Sequence, residues 1–80
     1  MSEKETQKER IEERRKAVLE RIVKRRRALG ISQADLTMLL GIGFSGYYKV
    51  ETGKTKLDTY RLFDILDQLK ISPEDFFKGM

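Results

Sequence analysis

The sequence predicts an all-α domain built from five helices, and three observations lead to that prediction. Its 80 residues fit within one domain of ordinary size. No segment alternates apolar and polar residues for long enough to indicate a strand. Each interruption of the apolar pattern carries residues typical of a helix end, with glycine following a helix at Gly30, Gly41 and Gly53. We therefore expect helices packed around one small core.

A long N-terminal helix is predicted over residues 3–29, which contain no Gly or Pro and are rich in Glu, Lys and Arg. The main positions of its apolar stripe lie in its second half and are Val18, Ile22 and Leu29. Charged residues dominate the first half. We therefore expect a projecting charged helix or arm over residues 1–17 and the folded domain over residues 18–80.

Two short helices follow the first one. The earlier of them is predicted over residues 33–40, because Ser32 and Asp35 have the spacing of a capping box and Gly41 can end the helix. The later one is predicted over about residues 44–52. The connection between them is only three residues long, which is too short for antiparallel stacking and typical of a sharp helix-turn-helix.

The last two helices are predicted from their caps. Asp58 can cap a fourth helix, whose apolar residues recur at spacings of three and four and form one buried face: Leu62, Ile65, Leu66 and Leu69. Ser72 followed by Pro73 supplies a capping serine and a proline at the first helical position, so a fifth helix begins there.

Charge is distributed unevenly along the chain. Residues 1–30 hold 11 Lys and Arg against 6 Glu, whereas residues 31–80 hold 6 against 7 acidic residues. A basic segment of this kind suggests a polyanion as partner, although a solvated basic helix face gives the same count. No apolar run approaches the roughly 20 residues that span a bilayer, and no secretion signal is evident, so we expect a cytoplasmic protein.

The chain contains no cysteine and no histidine. Disulfides and thiolate metal sites are therefore excluded, and the side chain best suited to proton transfer near neutral pH is missing. No evident pair of carboxylates replaces it. The composition predicts a binding protein, not an enzyme, that works without metal or cofactor.

The segment from Arg26 to Phe77 resembles the helix-turn-helix domain of the lambdoid phage repressor and Cro family, also called the XRE family. The residues that carry the resemblance occur in four blocks in the family order: Leu29–Leu36, Leu40–Ile42, Val50–Thr55 and Ile71–Phe77. The resemblance implies a five-helix, lambda-repressor-like DNA-binding domain, here with an extended N-terminal helix. It also implies a transcriptional repressor that binds palindromic operator DNA as a homodimer.

The same resemblance implies roles for individual side chains. The helix at about 44–52 would lie in the major groove. The residues placed to read base edges are Gln33, Phe44, Ser45 and Lys49. Those placed to contact phosphates are Tyr48, Lys54, Thr55 and Lys56. Arg26 and Glu51 occupy the positions of a structural ion pair between the first and third helices, which leaves Arg25 and Arg27 to face solvent or DNA.

Several residues depart from the family pattern. Gly43 stands where a capping Ser or Thr is usual, and Phe44 replaces a residue that is normally polar. Gly46 lies inside the third helix, where glycine costs roughly 0.5–1 kcal/mol relative to alanine. Close approach of the backbone to DNA or to another partner would explain this glycine.

Apolar residues at unusual positions keep a second interpretation open. Candidate dimer surfaces are the projecting N-terminal helix and four apolar side chains: Met38, Leu39, Phe77 and Met80. The alternative function is a protein-interaction module, such as an antitoxin that binds a toxin through its projecting helix and the apolar residues Phe44, Met38 and Leu39.

Overall fold

Five α-helices make up the computed structural model, which describes residues 3–80, with side chains from Thr6 onward. The helices are α1 (Glu3–Ala28), α2 (Gln33–Leu40), α3 (Phe44–Glu51), α4 (Thr59–Gln68) and α5 (Pro73–Phe76). The prediction of five helices is confirmed, and no strand occurs within the described residues. α1 and α3 each end one residue earlier than the sequence predicts.

The caps predicted at the starts of α2 and α4 are confirmed. The Ser32 hydroxyl accepts a hydrogen bond from the Asp35 amide at 3.0 Å, and the Asp35 carboxylate accepts one from the Ser32 amide at 3.4 Å. The Asp58 carboxylate caps α4 by accepting from the Arg61 amide at 2.7 Å. Side-chain caps of this kind each contribute about 1 kcal/mol, so these short helices are stabilised locally as well as by packing.

The core lies between the inner faces of all five helices. Its fully or almost fully buried side chains are Ile22, Leu36, Leu40, Tyr47, Ile65, Leu66, Leu69 and Phe76. The buried face predicted for α4 is confirmed, with Leu62 partly buried beside the others. The prediction that Leu29 belongs to the apolar stripe of α1 is wrong. α1 ends at Ala28, and the Leu29 side chain beyond it is 39% exposed.

α1 crosses residues 17 and 18 without a break. Its first half also touches the rest of the molecule, since the Arg15 guanidinium pairs with Glu12 at 2.8 Å and lies 3.5 Å from the carbonyl oxygen of Gly53. Ile11, one turn earlier, is 53% exposed. The secondary structure therefore gives no boundary between residues 17 and 18. The division into a projecting segment, residues 1–17, and a folded domain, residues 18–80, stays a prediction.

Two arginines of α1 bind the ends of the last two helices. Arg25 donates to the carbonyl oxygens of Leu69 at 3.0 Å and Lys70 at 3.1 Å, after the end of α4. Arg21 donates to the carbonyl oxygens of Phe76 and Lys78, both at 2.7 Å. The expectation that Arg25 faces solvent or DNA is wrong, because its guanidinium satisfies carbonyl groups that the end of α4 leaves without helical partners.

Among the described residues, no helix has the length and apolar character needed to cross a membrane.

Candidate nucleic-acid interface

A tight turn sets the angle between α2 and α3. Gly41 adopts the left-handed conformation, with φ of 68°, and its amide donates to the Met38 carbonyl oxygen at 3.2 Å. The next amide, of Ile42, donates to the Thr37 carbonyl oxygen, also at 3.2 Å. Glycine adopts this conformation without the steric penalty of a Cβ atom, which allows the chain to turn sharply within three residues.

α3 has one buried and one exposed side. Tyr47 and Val50 point into the core and are 0% and 8% exposed. The opposite side carries the residues that we call the α3 arc, all of them exposed: Phe44, Ser45, Tyr48 and Lys49. Positions one, three and four apart share one side of a helix, so this arc forms a continuous strip along α3. The structure thus brings together three predicted base-reading residues and the predicted phosphate contact Tyr48.

Glycines leave the backbone of α3 uncovered at two points. Gly43 caps the helix without any side-chain hydrogen bond. At Gly46, inside the helix, an added Cβ would meet no other atom within 4 Å. Packing within the chain therefore gives no reason for glycine at position 46, and alanine would fit.

The loop after α3 is tied to the end of that helix. The Thr55 amide donates to the Lys49 carbonyl oxygen at 3.1 Å, and the Gly53 amide donates to the Val50 carbonyl oxygen at 3.0 Å. The side chains of Lys54, Thr55 and Lys56 are exposed. These hydrogen bonds hold the backbone of the loop against the end of α3.

A buried ion pair supports α3 from behind. Arg26 Nη2 lies 2.7 Å from Glu51 Oε1, and the two side chains are only 8% and 4% exposed. Arg26 Nη1 also donates to the Ile31 carbonyl oxygen at 2.9 Å. The structure therefore joins Arg26 and Glu51 as the ion pair proposed from the sequence, and this pair fixes the end of α3 against α1.

Gln33 belongs to the same network. Its Nε2 atom donates to Glu51 Oε1 at 3.0 Å, which links the start of α2 to the end of α3. The side chain is half-buried, unlike those of the α3 arc. The structure thus shows a supporting contact for Gln33, and contact between Gln33 and a base stays a prediction.

The network shifts the pKa values of its two acidic groups. Burial raises the pKa of the Glu51 carboxyl, but the hydrogen bonds from Arg26 and Gln33, the nearby Tyr47 hydroxyl and the Arg26 charge outweigh burial and bring the pKa below its ordinary value. Burial, reinforced by the Glu51 carboxylate, raises the pKa of the Tyr47 hydroxyl. The hydroxyl therefore stays protonated. The Tyr47 hydroxyl, Glu51 Oε2 and Arg26 Nε are buried without a hydrogen-bond partner among the described residues.

The outer side of α4 carries two exposed aromatic side chains that are not among the predicted functional residues. Tyr60 and Phe63 are 77% and 50% exposed there. These two residues are three positions apart, on the side of the helix opposite the predicted core face. This spacing is the sequence signal that indicates an exposed aromatic surface.

No cluster of three or more acidic side chains among the described residues is arranged to hold a metal ion.

Known proteins resemble this chain along most of its length. A helix-turn-helix family model matches residues 22–76. Over 60 residues, 75% of this chain and 42% of the relative, the chain is 38% identical to a protein of Sinorhizobium fredii (strain NBRC 101917 / NGR234) named "Uncharacterized HTH-type transcriptional regulator y4aM". Over 61 residues, 76% of this chain and 56% of the relative, it is 31% identical to a Rhodospirillum rubrum protein named "Uncharacterized transcriptional regulator in ATPase CF(0) region". The chain thus spans about half the length of these two relatives. No solved structure matches it significantly.

Proposed function

Because the chain belongs to the XRE-type helix-turn-helix family, we propose that it is a sequence-specific DNA-binding transcriptional regulator that places α3 in the major groove of its operator. The α3 arc is the observation that supports this most strongly. Phe44, Ser45, Tyr48 and Lys49 are exposed on one side of α3, while the other side is held by the core and by the Arg26 and Glu51 pair. An arc supported in this way can enter a groove as a rigid probe.

The side chains of the arc suit different parts of the duplex. The Lys49 ammonium can donate to guanine N7 and O6, the Ser45 hydroxyl can donate or accept, and the Phe44 ring can pack on a thymine methyl group. Phosphate contacts would come from the Tyr48 hydroxyl and from the loop side chains Lys54, Thr55 and Lys56. The regulator would act in the cytoplasm, where operator DNA is found in bacteria.

One reading helix covers only a few base pairs. Two copies bound to half-sites about one helical turn apart would double the contacts and make the operator a palindrome. We therefore propose a homodimer on DNA that represses the gene it covers. The operator can be sought by selecting duplexes from a random pool with the purified protein and measuring their affinity by fluorescence anisotropy.

Lys49→Ala should lower affinity for the selected operator by about 1–3 kcal/mol and leave affinity for unrelated DNA almost unchanged, because it removes a donor to base edges. Anisotropy titrations with both duplexes at one salt concentration measure the two losses. Equal losses on the two duplexes would reject base reading by Lys49.

Lys54→Ala is the matched control, since it removes the same charge from the loop beside the arc. It should weaken binding to both duplexes alike and reduce the slope of log affinity against log salt by about one, through release of one fewer counterion. Together the two variants separate base contacts from phosphate contacts.

Gly46→Ala should have opposite effects on stability and on DNA binding. The free protein should become more stable by roughly 0.5–1 kcal/mol, because alanine favours a helix interior and the Cβ meets open space. Operator affinity should fall at least several-fold if the α3 backbone approaches the duplex closely. Thermal melting and anisotropy titrations on the same sample measure both effects, and unchanged affinity would show that DNA does not reach Gly46.

The exposed side of α2 favours a second function. Met38 is 80% exposed and Leu39 is 52% exposed on a helix that is otherwise anchored in the core. A protein such as a toxin could dock there, which would make the chain an antitoxin with DNA binding secondary or absent. Selection of a specific duplex from the random pool favours the regulator, whereas failure of that selection together with toxicity of a neighbouring gene favours the antitoxin.

A further inference from the structure

The outer side of α4 carries an aromatic surface that the proposed contacts with DNA do not use. We call it the α4 face and define it by four residues: Tyr60, Phe63, Asp64 and Asp67. Tyr60 is 77% exposed and Phe63 is 50% exposed, while Ile65 and Leu66 on the inner side are buried. Single exposed apolar residues are ordinary, but two aromatic rings one turn apart on a helix that is packed along its other side form a contiguous patch.

The α4 face and the α3 arc lie on separate helices. α3 packs against α1 and α2, and α4 packs against α2 and α5, so both helices pack against α2. The residues of the α4 face are therefore distinct from those proposed to contact DNA.

We infer that the α4 face is the surface on which a second copy of this chain packs, with the two α4 helices antiparallel about a twofold axis beside Phe63. Positions 60, 63 and 67 have the spacing of three and then four residues that lines the seam of a helix pair. The inference rests on the dimer of the proposed function and assigns its surface.

Complementary polar groups select a second copy as the occupant. In an antiparallel pair whose twofold axis passes between Phe63 and Asp64, Tyr60 of each copy lies opposite Asp67 of the other, so a hydroxyl donor meets a carboxylate acceptor twice about the axis. Asp67 forms no ion pair with any described side chain, so its carboxylate is free to accept this bond. A parallel pair would instead place Asp67 against Asp67, which brings two like charges together.

The remaining acid of the α4 face is already neutralised. The Asp64 carboxylate lies 3.2 Å from the Arg61 guanidinium of the same helix. Two copies of Asp64 near the axis therefore do not introduce uncompensated charge. A helix of ten residues covers less than the roughly 800 Å² per partner of a standard stable interface, so the dimer forms at high protein concentration or when two half-sites hold the copies together.

A charge exchange tests the antiparallel register. Tyr60→Glu faces Asp67 of the second copy and should abolish the dimer in analytical ultracentrifugation. Adding Asp67→Lys should restore it, since the carboxylate introduced at position 60 of one copy then meets the ammonium introduced at position 67 of the other. Within one chain these positions are about 10 Å apart along the helix, so they do not compensate each other directly. Met38→Glu is the control on α2 and should leave the dimer intact.

A covalent test uses the absence of cysteine from the sequence. Phe63→Cys provides a single thiol beside the proposed axis, and mild oxidation should link two chains through a disulfide, which requires Cα atoms closer than about 7 Å. Met38→Cys, at a more exposed position, should remain largely unlinked under the same conditions.

The outcomes separate this inference from the proposed function. Failure of Asp67→Lys to restore the dimer, equal cross-linking at positions 38 and 63, or a parent chain that is monomeric both free and on the operator would each overturn the α4 dimer. Operator binding by the parent chain would still support the regulator in all three cases. Conversely, a dimer that follows the charge exchange but selects no duplex would support the surface and reject the regulator.

Discussion

Replacing Arg26 by methionine is expected to lower the free energy of unfolding by about 3–5 kcal/mol. Methionine fills much of the space of the arginine stem but leaves the Glu51 carboxylate, which is only 4% exposed, without its cation. Gln33 still donates one hydrogen bond to Glu51, which is insufficient to replace the lost charge. Domains of this size are marginally stable, so urea unfolding followed by circular dichroism should show a large shift of the midpoint.

Two further variants show whether the buried charge causes the loss. Arg26→Met combined with Glu51→Gln should recover much of the stability, because the neutral amide no longer requires a cation. Arg27→Met, at the exposed neighbouring position, should change stability by no more than about 0.5 kcal/mol. A double variant as unstable as Arg26→Met alone would mean that lost packing, not the unpaired carboxylate, causes the effect.

Acid should reduce the difference between the parent and Arg26→Met. In the parent the pKa of Glu51 lies below its ordinary value of 4.5, so the pair contributes its full stability above that value and loses it as the pH falls through the lowered pKa. In the variant, burial without the cation raises the pKa of Glu51, and protonation relieves the buried charge. The two stability curves should therefore converge as the pH falls below about 5.

Local signals in the sequence predict most of the fold. Capping by Ser32 and Asp58 and the left-handed turn at Gly41 depend on neighbouring residues only, so they can be recognised without knowledge of the tertiary structure. The same is true of the exposed and buried sides of α3 and α4, because helical spacing alone separates them. The end of α3 differs by one residue because Thr52 remains helical in φ and ψ while serving as the cap.

Long-range contacts explain what the sequence did not predict. Arg25 and Arg21 look like solvent-facing cations of a basic helix, yet they bind carbonyl groups more than 40 residues away in the chain. The family pattern predicts that Gln33 contacts DNA, whereas its contact with Glu51 depends on the angle between α2 and α3. A local sequence pattern does not show which residues far apart in the chain come into contact. The proposed roles of the α3 arc also depend on contacts with DNA, so they are tested by measurements of DNA binding.

Removing the Tyr47 ring is also expected to cause a large loss of stability. Tyr47 lies on the inner side of α3 and is completely buried. Tyr47→Ala should lower the free energy of unfolding by about 3–5 kcal/mol through lost burial and the cavity left behind. DNA binding should fall as well, because the ring supports the helix that carries the α3 arc. Urea unfolding and operator titrations at a temperature where the variant is folded measure the two losses.

Tyr47→Phe distinguishes the ring from its hydroxyl. Phenylalanine keeps the apolar volume and removes only the hydroxyl, which is buried without a hydrogen-bond partner but helps to lower the pKa of Glu51. The loss of stability should therefore stay below about 1.5 kcal/mol, with operator affinity nearly unchanged. The pKa of Glu51 should rise, since one of the groups that lowers it is gone. If Tyr47→Phe were as damaging as Tyr47→Ala, the hydroxyl and Glu51 would form a strong buried hydrogen bond, and polar contacts would contribute more to the support of α3 than the packing of the ring does.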